Sequence, residues 1–87
     1  MADQPDVSCD PREWLDRRAY HREQEQEYRE RWGRAENPAK ARLAERLETL
    51  SDRMWTQCVR NACPSVECSL LTAEYWSTLT HLFGPRN

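Results

Sequence analysis

The residues of this chain best suited to chemistry are four cysteines, Cys9, Cys58, Cys63 and Cys68, the last three spaced C-x4-C-x4-C. Thiols can be bridged, ligate zinc, act as nucleophiles or simply pack. In a chain of 87 residues, covalent reinforcement is the first expectation, because small helical domains often need a staple. Cys58 falls at the end of one apolar stripe and Cys68 in the first turn of the next segment, with Pro64 in the bend between them. Two such positions flank the mouth of a helical hairpin, so a Cys58–Cys68 disulfide is geometrically reasonable, leaving Cys9 and Cys63 to pair or stay free. Four cysteines allow three connectivities, and spacing does not choose among them. A structural zinc site would need a second ligand pair drawn from Cys9, His21 or His81, which follow no ligand pattern. No metal and no other cofactor is expected. Cys63 before Pro64 could be an activated thiol at a helix N-terminus, but it has no C-x-x-C partner, base or orienting group, so no catalytic residue is assigned. His21 and His81 are read as surface or packing residues.

The elements that must position these side chains are helices. The chain has two glycines, Gly33 and Gly84, so phosphate-binding loops of the P-loop or Rossmann type are excluded. Each glycine sits just past a helical segment, where a left-handed closing residue is wanted. Isoleucine is absent and valine scarce, which argues for an all-α fold. The first helix is expected over about 10–32, with Asp10 as cap, Pro11 at its first position and Glu13 reaching back. The second follows Asn37-Pro38 and runs over about 38–62, where the Cys63-Pro64 step interrupts it. The third spans about 65–83, with Gly84-Pro85 as its stop. Residues 1–9 and 84–87 are tails around a single helical domain of residues 10–83.

The faces of these helices differ. Between Asp10 and Glu36, 15 of 27 residues are charged, and Glu13–Arg17, Glu25–Arg29, Glu27–Arg31 and Glu30–Arg34 have the spacing of intrahelical ion pairs. This helix reads as a solvated helix with a few aromatic anchors or, more sharply, as a charged strut whose ends, Trp14 and Tyr28/Trp32, dock on another protein. The second carries Leu43, Leu47, Leu50, Met54 and Cys58 in one stripe. The third answers it with Leu71, Tyr75, Leu79 and Leu82, widened by Leu70, Trp76 and Phe83. It is otherwise dominated by Ser and Thr, with Glu67 and Glu74 as its acids. The second and third helices therefore form a hairpin.

Composition narrows the function classes. Thirteen basic against 15 acidic residues give a net charge of -2, which is no footprint for nucleic acid. No run approaches the roughly 18 apolar residues of a membrane span, and the acidic N-terminus is expected to be neither a secretory signal nor a transit peptide. With 38% hydrophobic residues and a mean hydropathy of -1.05, the chain can barely enclose a deep pocket, so no small-molecule substrate and no enzyme is expected. The third helix is aromatic-rich and poor in charge, the composition of an interface core. Trp14, Tyr28, Trp32, Trp55, Trp76 and Phe83 are the candidate anchors for other protein subunits.

The nine-residue interval between Cys58 and Cys68 resembles the C-x9-C element of helical-hairpin proteins of the mitochondrial intermembrane space. The resemblance covers about 11 residues, has one such element where members normally have two, and straddles Pro64. It implies oxidation on import and a place among accessory subunits or assembly factors of respiratory-chain complexes, on the intermembrane-space side of the inner membrane. The expectation is thus a non-catalytic structural subunit or assembly protein of a larger complex. The alternative is a small cytosolic or viral adaptor with reduced cysteines, whose C-terminal helix inserts into a partner's groove.

Overall fold

The computed structural model describes residues 7–32 and 38–84, with the side chains of Arg31, Trp32 and Pro38 left aside. It is all-α: helices α1 (Pro11–Trp32), α2 (Pro38–Val59) and α3 (Val66–Phe83) follow one another. The expected closure at Gly33, the Asn37 cap and the partner of Glu30 at Arg34 lie outside the described residues.

Local chemistry sets the helix ends. At the start of α1 the Asp10 carboxylate accepts from the Arg12 backbone N–H at 2.9 Å, satisfying one of the donors that a first turn leaves free. Glu13, expected to reach back to the cap, instead accepts from Arg17 at 3.3 Å. α2 stops earlier than proline alone would dictate. Asn61 adopts a left-handed conformation with φ 60, the Ala62 N–H reaches the Gln57 carbonyl at 2.9 Å, and the Asn61 N–H reaches that of Cys58 at 3.2 Å. This paired pattern closes a helix through a single αL residue. The expected end at residue 62 therefore moves back to Val59. Ser65 caps α3 by accepting from the Cys68 N–H at 3.1 Å. Gly84, at φ 85, ends that helix by donating to the Thr80 carbonyl at 2.7 Å.

α2 is the middle element. It packs against both α1 and α3, while α1 and α3 make no backbone contact with each other among the described residues. The molecule measures 41 × 30 × 16 Å, and side chains of α1 and α3 meet beside α2. Toward α3, α2 turns its apolar stripe. Leu47, Leu50, Met54 and Cys58 are buried, as are Leu71, Tyr75 and Leu82 opposite them. Leu43 and Leu79 pack at the edge of this core.

Toward α1 the contact carries cross-helix ion pairs, besides the buried Trp14 of the common core. Arg18 donates to Asp52 at 2.6 Å, Arg22 to Glu48 at 2.8 Å, and Arg29 approaches Glu45 at 3.8 Å. Rising numbers on α1 meet falling numbers on α2, which fixes an antiparallel register. Arg29 also pairs with Glu25 within α1, and Arg18 lies over the Trp55 ring, 5.2 Å from its centroid. Each half-exposed pair is worth at most about 1 kcal/mol, so the seam specifies register more than it supplies stability. The charged helix is therefore docked along α2 rather than projecting as a strut. Two hydroxyls of α3 bond within their own helix, while that of Thr72 donates to Met54 Sδ of α2 at 3.8 Å. Thr78 donates to the Glu74 carbonyl at 2.8 Å and Thr80 to that of Trp76 at 3.0 Å, the back-bonding open to Ser and Thr inside helices.

Candidate functional site

The described surface offers two candidate regions, one covalent and one apolar. At one end of the bundle the N-terminal segment folds back against the α2–α3 bend, and all four cysteines gather there. The disulfide joins Cys9 to Cys63, 54 residues apart in sequence. Cys58 and Cys68 are free thiols, both buried. The expected Cys58–Cys68 pairing is thus replaced by a bond that no local interval announces. The reason is tertiary: residues 7–9 lie across the end of α2. There the Ser8 carbonyl accepts from the Trp14 indole N–H at 2.7 Å and from the Cys58 thiol at 3.8 Å. Cys68 donates its thiol to the Ala62 carbonyl at 3.6 Å. Burial, then the nearby charge of Cys68, pushes the Cys58 thiol above its ordinary pKa, so at neutral pH it is a protonated, weakly nucleophilic group. Among the described residues no group of three or more His, Cys, Asp or Glu is arranged to hold a metal ion.

Between this end and the middle of the molecule, side chains of α1 and α3 meet. The Trp14 and Tyr75 rings pack edge to face at 5.1 Å, and the Arg17 guanidinium lies over Trp14, Tyr75 and Trp76 at 4.6, 5.3 and 5.4 Å. Contacts of this kind favour Arg because its planar cation stacks on ring faces. His21, 1% exposed, bridges the Gln24 amide oxygen at 3.2 Å and the Tyr75 hydroxyl at 2.8 Å. With Nδ1–H donating to Gln24, the tyrosine hydroxyl donates to Nε2, and every polar atom of the ring is satisfied. Burial holds the His21 pKa below 6.5 and raises that of Tyr75, with Arg17 opposing the latter shift. His21 is therefore a packed core residue, one of the two readings its sequence context allowed. Its spacing of seven from Trp14, with Arg17 between, places the three on one face of α1, which was the available signal.

The candidate anchors separate into distinct environments. Trp14, at 1% exposure, serves this chain's own core and is removed from the set of surface anchors. Tyr28, Trp55 and Trp76 are half-buried against the core. Burial also raises the Tyr28 pKa. Phe83 is 56% exposed, and the Trp32 side chain falls outside the described residues. Sequence reasoning missed the outermost apolar residues. Val66 is 78% and Leu70 66% exposed, and the wheel of α3 puts them in line with Ala73, Ser77 and Thr80, all exposed. Leu70 had been assigned to the widened core stripe, but its position is about 100° from Leu71 and points away from α2. The acids of α3 flank this line, Glu74 pairing with Arg46 of α2. No known protein family matches the chain, and neither a curated protein nor a solved structure matches it.

Proposed function

We propose that this chain is a non-catalytic structural or accessory subunit, or an assembly protein, of a larger multiprotein complex, and that it meets its neighbours through the outward face of α3. The observation that carries this proposal is the uncharged line Val66, Leu70, Ala73, Ser77 and Thr80, with Phe83 alongside, on a helix whose opposite side is already packed. Exposed apolar residues gathered on one charge-poor face are the usual mark of a protein contact.

The Cys9–Cys63 bond favours an oxidising compartment over the reducing cytosol. The intermembrane-space side of the mitochondrial inner membrane, with a respiratory-chain complex there, is the oxidising compartment we propose, on the resemblance of the Cys58–Cys68 interval alone. The test is native size fractionation of the tagged chain from its own cells. It should travel with a particle far larger than 10.4 kDa, and Val66→Glu combined with Leu70→Glu should release it as a monomer of unchanged helicity. A wild-type chain that migrates alone under all mild extraction conditions overturns the proposal.

A further inference from the structure

The cysteine end of the bundle holds a bond and two thiols in an arrangement that permits exchange. Each free thiol lies against the residue that precedes a bonded cysteine: Cys58 donates to the carbonyl of Ser8, next to Cys9, and Cys68 to the carbonyl of Ala62, next to Cys63. Cys58 belongs to the last turn of α2, whereas Cys63 lies in the bend between α2 and α3. The N-terminal segment is thus held at one point by a bond to the bend and at a neighbouring point by a thiol of the helix.

We propose that Cys58 is an internal exchange site, whose thiolate attacks Sγ of Cys9, forming a Cys9–Cys58 disulfide and expelling Cys63 as a thiolate. One S–S bond breaks and one forms. The proton lost from Cys58 is matched by one taken up at Cys63, and the number of disulfides does not change, so no oxidant or reductant is consumed. The N-terminal segment stays pinned to α2 after the exchange, but the α2–α3 bend is released and now carries a free, half-buried thiol at Cys63. The attack is assigned to Cys9 because Cys58 is held against the carbonyl of Ser8, the residue before it. The alternative attack, by Cys68 on Cys63, would close a six-residue ring and set the whole N-terminal segment loose. The acidic and thiol groups facing Cys58 are Asp10 and Glu13 from the α1 end and Cys68 from α3. All disfavour its thiolate, so exchange is slow at neutral pH and quickens as pH rises.

The experiment uses the full chain without added thiol, held at pH 6.5 or 8.5, acid-quenched, alkylated and mapped without reduction. Cleavage after Arg60 and after Glu67, besides the other basic and acidic positions, puts each cysteine on its own peptide. At pH 8.5 a Cys9–Cys58 peptide pair with alkylated Cys63 is expected to accumulate several-fold above its level at pH 6.5. Cys58→Ser should abolish it and Cys68→Ser should leave it, both checked for native helicity. If either variant is unfolded, the wild-type map alone decides. Recovery of Cys9–Cys63 as the sole bond at both pH values, or of a Cys63–Cys68 pair instead, overturns the assignment.

Discussion

His21 shows how one side chain can tie stability to pH. It is enclosed and neutral, with a folded pKa held below its unfolded value of 6.5. The unfolded chain therefore binds more protons than the folded one once pH drops below 6.5. The stability linked to this group is fully present above 6.5 and is lost as pH falls through that value. Each pH unit crossed costs at most about 1.4 kcal/mol, so unfolding by urea should show a lower stability at pH 5 than at pH 7.5. His21→Gln, which keeps a hydrogen-bonding side chain but cannot titrate, should flatten that dependence. An unchanged slope in the variant would show that other groups carry it. Trp14, Arg17 and His21 were legible as one face of α1, but their common partner was not. Tyr75 lies 54 residues away from His21, and that pairing arises from how α1 and α3 sit on α2.

At the scale of elements, most of the fold was readable. Capping residues, an N1 proline and the apolar stripes place three helices close to their observed bounds. The misread end of α2 is instructive. Pro64 was the conspicuous stop, yet the helix is closed by Asn61, because a left-handed residue that satisfies two carbonyls ends a helix before a proline several positions on can act. Asn accepts that conformation more readily than other residues with a Cβ, and valine accepts it least. Asn61→Val should therefore lower the unfolding free energy by about 1–2 kcal/mol, whereas Asn61→Gly should leave it unchanged or slightly higher. Equal losses in both variants, measured by chemical denaturation, would mean that the Asn61 side chain matters for another reason. The charged face of α1 was legible as charge but not as a contact. Intrahelical spacing announced Glu13–Arg17 and Glu25–Arg29, which both form, but not the reach of Arg18, Arg22 and Arg29 across to α2. Nothing within one helix records the register of the next.

For the whole molecule, the covalent link between Cys9 and Cys63 is the least legible feature and the most consequential for stability. Local spacing favoured a bridge inside the hairpin. The observed one depends on the first described residues returning to the far end of α2, a contact with 54 residues of separation. Closing a loop of that size restricts the unfolded chain by about 4 kcal/mol in the chain-entropy account. In a chain of 87 residues that is a large share of the whole stability. Reduction, or Cys9→Ser with Cys63→Ser, should therefore lower the thermal midpoint by well over 10 °C, with α1 losing its protection first. A variant as stable as the parent would mean that the helices hold by packing alone. The outer face of α3 belongs to the same scale. Of its residues, Leu70 and Phe83 read as widening the core stripe, and both are exposed.

That long covalent loop also sets the reach of the polypeptide under tension. Pulled by its two ends, the chain can surrender the stretch before Cys9 and the stretch after Cys63, but α1 and α2 stay shut inside the ring. The bond withholds from extension the 54 residues of separation that it closes, roughly 180 Å of chain. Along that path α3 is the one helix free to unravel, so a mechanical load would strip away the outward face while leaving the other two helices tethered.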